Sequence, residues 1–217
     1  MISNKLSVVC FISGRGSNLN ALISSAEHYE ILSVISNKPS AAGLTLAQEA
    51  SIPTHAVSRK SASSLLEQKN QLYSIAKNYK PDLILLAGYM QIIEVDFIAE
   101  FANKIINIHP SLLPAFPGLD THKRALSKNA IMHGCSVHVV EAEVDSGPII
   151  AQAECSIAPE ETEETLAAKV LKHEHQLYPW VINNIALGEI TIKSSGAIQY
   201  SKKVLQEASN KRFKLAQ

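Results

Sequence analysis

Three short, nearly continuous apolar runs constrain the fold most: LSVVCFI at Leu6–Ile12, EILSVIS at Glu30–Ser36 and DLILLA at Asp82–Ala87. Runs of this length that do not alternate with polar residues suit strands buried on both faces, as in a parallel sheet. Helical spacing lies between them. Leu19, Leu22 and Ile23 follow the first run, Ala41–Ala50 is rich in alanine and leucine, and Ser61–Tyr79 carries Leu65, Leu66, Leu72, Ile75 and Ala76 on one stripe before Pro81. Ile52–Val57 adds a short strand. Strands and helices alternating at such short intervals predict parallel βαβ units. The expected class is α/β, a doubly wound, mostly parallel sheet with helices on both faces. Ligands in such sheets sit beyond the carboxyl ends of the strands, near the switch in strand order.

Two of those strand ends are unusual. Leu6–Ile12 runs into Ser13-Gly14-Arg15-Gly16-Ser17-Asn18 and then a helix. Strand, glycine turn and helix start can place backbone N–H groups around an anion, with Ser17 or Asn18 capping the helix and touching the ligand. A tight βα turn with an Asx cap reads equally from the same residues. The loop lacks the third glycine of the dinucleotide fingerprint and the Gly-Lys-Ser/Thr of a P-loop. In KIINIHPSLLPAFPG at Lys104–Gly118, a β-branched run breaks into Asn107-Ile108-His109-Pro110 with further prolines at 114 and 117. Proline has a fixed φ and no amide donor, so this is neither a helix interior nor a central strand. Asn107 and His109, two apart on extended chain, point the same way. They could stabilise an oxyanion and move a proton, or be a structural turn with one solvated histidine.

Thr121–Lys128 reads as a short helix, and Ile131–Glu141 and Ile149–Cys155 as strands joined across Asp145-Ser146-Gly147-Pro148. A long helix is expected from caps at Thr162 or Thr165 to about Leu187, carrying His173, Glu174 and His175. Short strands at Ile190–Ile192 and Ala197–Tyr200 and a basic, amphipathic tail follow. No linker or repeat marks a second domain, so residues 1–217 are expected to form one domain. Its parts would be a half that carries the glycine loop (1–100), a half that carries the Asn107–His109 loop (101–192) and a tail (193–217).

Charge excludes some classes. Twenty basic residues balance twenty acidic ones, which argues against a nucleic-acid or membrane-surface partner. No apolar run approaches bilayer length. Cys10, Cys135 and Cys155 are odd in number and widely spaced, which suggests neither a disulfide framework nor a metal site. No signal peptide is read at the N-terminus, and a cytoplasmic setting is expected.

ISGRGSNLNALI, LAGYMQII, NIHPSLLPAFPGLDTH, HGCSVHVVEAEVDSGPII and HEHQLYPWVI together resemble the phosphoribosylglycinamide formyltransferases, in order and with fitting spacing from about residue 6 to 192. Those folate-dependent enzymes have a Rossmann-like fold and formylate glycinamide ribonucleotide in purine biosynthesis. The resemblance implies 10-formyltetrahydrofolate as co-substrate, no metal, small-molecule partners only, and a monomer or homodimer. It maps a catalytic trio onto Asn107, His109 and Asp145, with the Asn107 amide and a protonated His109 as oxyanion donors. Substrate phosphate and ribose would be held by Gly14, Arg15, Gly16, Ser17, Asn18 and Glu174. Folate would meet Met90, Gln91, Ile92, Ile93, Asn107 and the loop Val140, Glu141, Ala142, Glu143 and Val144. His122 and His138 map near the site, where a structural role is equally open. Two departures stand out. Gln91 replaces a common Arg, and Ser63-Ser64-Leu65-Leu66 stands where relatives often place another, with Arg59 and Lys60 lying earlier. Holding the folate's glutamate tail is therefore the weakest part of the mapping.

Overall fold

The computed structural model describes residues 5–216. The chain forms two compact units, one up to Ile106 and one from Asn107 onward. The first contains β1 (Leu6–Ile12), α1 (Ser17–Ser24), β2 (Tyr29–Ser36), α2 (Ala42–Glu49), β3 (Thr54–Ala56), α3 (Leu65–Asn78), β4 (Leu83–Leu86) and α4 (Val95–Glu100). Strand β5 (Ile105–His109) carries the chain from the first unit into the second; it is an interior strand of the sheet, contrary to expectation for the proline-rich stretch, because the first proline, Pro110, comes only after its last residue. The second continues with α5 (Thr121–Ser127), β6 (Met132–Val139), β7 (Ile149–Ser156), α6 (Glu163–Ala186), β8 (Ile190–Ile192), β9 (Ile198–Tyr200), α7 (Lys202–Lys211) and β10 (Phe213–Leu215).

In the first unit the strands lie in the order β4-β1-β2-β3, and β1 pairs in parallel with both β2 and β4. Val8 to Ile12 are fully buried, the two-sided burial expected of an unbroken apolar run. The chain steps outward from β1 to β3 and then returns to the other side of β1 for β4. Right-handed crossovers put α1 and α2 on one face and α3 on the other. The reversal makes the gap between the carboxyl ends of β1 and β4 a switch point, and Gly14–Asn18 and Gly88–Gln91 both begin there. Beneath it Tyr73 stacks on Phe97 at 4.0 Å, and Phe11 meets the edge of Tyr89 at 5.3 Å.

In the second unit β7 runs antiparallel to β6 on one side and to β10 on the other. Gly134 is needed for the first pairing, because a Cβ there would lie 2.0 Å from the Ala153 carbonyl oxygen. Helix α6 starts at a capping box formed by Thr162 and Thr165 and continues through Pro179. Together with the first unit this is the α/β, mostly parallel, helix-flanked class read from the sequence.

Three elements differ from expectation. Helix α3 begins at Leu65, later than Ser61, because the Ser64 hydroxyl caps it by accepting from the Glu67 amide (3.0 Å). The six-residue α4 has too few turns to show a period in sequence. The tail ends in α7 and β10 and is tied down. Trp180 packs on Phe213 at 5.1 Å and donates Nε1–H to Glu207 (3.2 Å), and the Tyr200 hydroxyl donates to the Ile150 carbonyl (2.7 Å).

His133 on β6 is 1% exposed, and its Nε2 lies 3.1 Å from Nδ1 of His122 on α5. Burial lowers the His133 pKa to about 4, with the neighbouring His122 and His109 rings adding to the effect. A depressed histidine stabilises the fold fully above its unfolded pKa and loses that contribution as pH falls toward the folded value. Stability should therefore drop by roughly 3 kcal/mol between about pH 6.5 and 4 from His133 alone. The expected outcome is that denaturant titrations of His133→Asn across this window show a flatter decline than those of the parent chain.

Candidate functional site

The glycine loop is shaped by a neighbouring helix. Gly16 has φ 80°, and a Cβ on it would come 2.6 Å from the Gly43 Cα of α2, so glycine is required on both counts. The Gly43 amide donates to the Gly14 carbonyl (3.1 Å), which locks the loop against α2. Gly16 is the N-cap of α1 and no side chain caps the helix; Ser17, read as a candidate cap, is its first residue. The leading amides of α1 thus keep their polarity for an anion at the positive end of the helix. Arg15 is exposed beside them, whereas Asn18 is buried.

Beyond β4, Gly88 (φ 79°) turns the chain into a second loop. Met90 is 69% and Ile92 64% exposed, while Tyr89 and Ile93 are buried. Two large apolar side chains held in solvent on an anchored loop suit an apolar ligand better than a core. Gln91 is held on both sides, its Oε1 accepting from the Tyr89 hydroxyl (2.9 Å) and its Nε2 donating to Gln68 Oε1 (3.2 Å).

The expected trio lies wholly in the second unit: His109 meets Asp145, and Asn107 reaches them through His138. His109 Nδ1 lies 3.3 Å from Asp145 Oδ2, and the same oxygen accepts from the Gly118 amide (2.8 Å). His109 Nε2 faces the Phe116 carbonyl at 3.0 Å. Asn107 Nδ2 donates to His138 Nε2 (3.1 Å), and His138 Nδ1 lies 2.9 Å from the Val139 carbonyl, a set of contacts met by the Nδ1–H tautomer. His138 Nε2 also approaches Asp145 Oδ1 at 3.6 Å. Asp145 has φ 54°, and its side chain is 10% exposed. One N–H of the Asn107 amide is used by His138, which aims the group and leaves its second N–H for an oxyanion.

Electrostatics refine the roles. Burial alone would raise the Asp145 pKa, but His138, the Gly118 amide and His109 hold it below the ordinary carboxylate value, so it is ionised at neutrality. For His109, burial lowers the pKa, opposed by the Phe116 carbonyl and Asp145 and aided by His138 and Arg124; the net direction is down. The ring is therefore neutral at rest, where a nearby carboxylate alone would have kept it charged. The two oxygens facing its nitrogens nevertheless suit a doubly protonated ring, which eases uptake of a proton.

The loop between His109 and Gly118 is held from within. The Ser111 hydroxyl donates to the Ala115 carbonyl (2.6 Å), and Ser136 Oγ donates to the Ser111 carbonyl (2.6 Å) while accepting from the Leu113 amide (3.0 Å). Arg124 Nη1 donates to the Pro117 carbonyl (2.5 Å). Glu174, on α6, is buried at 6% exposure, unlike the solvated glutamate a helix surface usually presents. Residues 141–144 are exposed, with Val140 half-buried; the Ser146 hydroxyl donates to the Glu143 carbonyl (2.8 Å) and so closes the turn that contains Asp145. Cys10, Cys135 and Cys155 are buried and free, and burial pushes each thiol pKa up, the reverse of a reactive nucleophile.

His138 belongs to this site on geometry, though its sequence position left a structural role equally open. Its available signal is the i, i+2 placement with Ser136 on β6, a strand that alternates there. The Phe116 carbonyl and Gly118 amide carry no sequence signal, because any residue supplies them. Among the described residues no group of three or more His, Cys, Asp or Glu side chains is arranged to hold a metal ion. Among the same residues no helix is long and apolar enough to cross a membrane.

A family model described as formyl transferase matches residues 6–182. The phosphoribosylglycinamide formyltransferase of Escherichia coli (strain K12) is 38% identical over 196 residues, 88% of this chain and 92% of that protein. That of Haemophilus influenzae is 40% identical over 192 residues, 87% and 91% of the two chains. Among solved structures, the phosphoribosylglycinamide formyltransferase of Anaplasma phagocytophilum superposes with a TM-score of 0.85 at 39% identity, covering 92% of this chain and 96% of that one. The enzyme from Brucella melitensis gives 0.80 at 45% identity, covering 87% and 99%. An Asn–His–Asp set on the elements that the matched span contains, and relatives of this similarity along nearly their whole length, lead to one conclusion: the chain belongs to the phosphoribosylglycinamide formyltransferase family.

Proposed function

We propose that the chain transfers the formyl group of 10-formyltetrahydrofolate to the primary amine of glycinamide ribonucleotide, in de novo purine biosynthesis. The observation that carries this reading is the buried contact of His109 with Asp145, with Asn107 aimed by His138 beside it. The amine attacks the formyl carbon, and its new C–N bond forms as the carbonyl π pair moves onto oxygen. The free N–H of Asn107 meets that oxyanion, an interaction that is typically worth a few kcal/mol in such sites. His109, neutral at rest, accepts the proton that the amine loses. Ionised Asp145 stabilises the imidazolium and keeps the ring oriented. The proton then goes to the folate nitrogen as its C–N bond breaks and the carbonyl reforms. No covalent enzyme intermediate is needed, because an amine is itself an adequate nucleophile.

The uncapped α1 start at Gly16–Asn18 supports a phosphate there, with Gly14 and Arg15 alongside, and exposed Met90 and Ile92 support an apolar pterin contact with Gln91 and Ile93 in the same loop. Glu174 for the ribose and residues 140–144 for the folate remain part of the proposal. So do a single domain, a cytoplasmic setting and a monomeric or dimeric state.

A hydrolase that passes the formyl group to water is the rival on the same fold. Following folate absorbance with and without glycinamide ribonucleotide separates the two. Transfer predicts donor consumption only when the nucleotide is present; equal consumption in its absence means hydrolysis.

Asp145→Asn removes the charge while keeping a residue that tolerates positive φ. Steady-state kinetics should show turnover down by about 100-fold or more, with the affinity for the nucleotide close to that of the parent chain. The pH profile follows from the same contacts. With neutral His109 as proton acceptor, kcat/KM should fall on the acid side with a midpoint below about 6.5. Loss of the Asp145 charge depresses His109 further, so the limb should move to lower pH in the residual activity of Asp145→Asn. An unmoved limb would assign the titration to another group.

A further inference from the structure

Within the first unit lies a circuit of buried polar side chains that the chemistry does not use. Gln68 on α3 is fully buried, an uncommon position for a glutamine. Its Nε2 donates to the carbonyls of Asn37 (2.8 Å) and Val57 (2.7 Å). Carbonyls only accept, so these bonds fix the direction of the amide, and Gln68 Oε1 is left to accept from Gln91 Nε2 (3.2 Å). That orients Gln91 in turn, whose Oε1 accepts from the Tyr89 hydroxyl (2.9 Å). On the other side Asn37 Oδ1 accepts from Ser13 Oγ (2.7 Å), and the same Oγ accepts from the Met90 amide (2.9 Å). Tyr89, Met90 and Gln91 are consecutive, so the contacts close on themselves through the ends of β1, β2 and β4 and one face of α3.

We propose that Gln68 is a positioning residue. Through Asn37 and Ser13 it sets the base of the glycine loop, and through Gln91 it sets the Met90 loop, so one hydrogen-bonded circuit fixes both ligand-contacting segments of this unit. The inference rests on reading those segments as the nucleotide and folate contacts. Ser13 directly precedes Gly14, and its own amide donates to the Gly88 carbonyl (3.1 Å), so a displacement at either loop is felt at the other. The circuit also turns the Gln91 side chain inward. It therefore serves the shape of the loop, leaving the exposed Met90 and Ile92 to meet a ligand. A buried residue that merely fills space needs no such directional matching. Here each donor is paired with an acceptor in one consistent sense.

The test is calorimetric titration of glycinamide ribonucleotide and, separately, of tetrahydrofolate, together with kcat at saturation. Gln68→Met keeps length and bulk but removes the donors and the acceptor. Both dissociation constants should rise by about fivefold or more while kcat changes by less than about twofold. Ser13→Ala opens the circuit at its opposite point and should give the same pair of weakened affinities, which decides the matter even if Gln68→Met does not fold. Leu72→Ala, buried on the same helix but outside the circuit, should lower Tm and leave both dissociation constants unchanged. Parent protein that binds both ligands while Gln68→Met and Ser13→Ala bind them equally well, or with only one affinity weakened, overturns the positioning role alone. Parent protein that binds neither ligand overturns the functional reading and this inference with it.

Discussion

The second unit depends on what the Asp145 carboxylate holds. One of its oxygens accepts from the Gly118 amide and faces His109, while the other approaches His138. A single buried charge thereby joins the end of the proline loop to the turn after β6. Taking a carboxylate out of water is unfavourable unless its lone pairs are met, and here the Gly118 N–H and the His109 ring meet them, with His138 close by. The arrangement is directional, since Asp145 reaches it only from a left-handed backbone, φ 54°. Gly147, two residues on, is also constrained, because a Cβ there would lie 2.1 Å from the Val139 carbonyl oxygen.

The two units use different physics. In the second, charge is buried beside titratable rings, and the direction of each pKa decides which group can take a proton. In the first, the exposed features are the α1 start at Gly16, with Arg15 beside it, and the apolar side chains of Met90 and Ile92. At the proposed phosphate site, backbone amides would meet the anion without a buried cation.

Much of this was readable from the chain. The unbroken apolar runs at β1, β2 and β4 declare two-sided burial, and Asn107 and His109 sit two apart on a strand that prolines terminate, so their side chains had to share a direction. The trio itself came from motif resemblance, because no spacing rule links a strand end to a turn far along the chain. What escaped was of two kinds. Short elements such as α4 and β10 carry too few residues to display a period. Contacts made by backbone atoms, the Phe116 carbonyl and the Gly118 amide, have no residue identity to read. The downward displacement of His109 also escaped, since burial outweighs a neighbouring carboxylate only once the surrounding packing is known. Gln68 looked like an ordinary polar position on an amphipathic helix, and only its complete burial reveals otherwise.

The final strand has a consequence for how this protein behaves in a crowded solution. β10 covers the outer side of β7, pairing Phe213 with Ala153 and Leu215 with Ala151, and Lys214 forms an ion pair with Glu154 across the same ladder. Without that cover the Ala151–Ala153 stretch of β7 would present an unpaired edge, the kind of template onto which another chain can add a strand. A three-residue strand bearing a lysine is a much poorer template. The tail thus places a short, charged strand along the Ala151–Ala153 stretch of that edge.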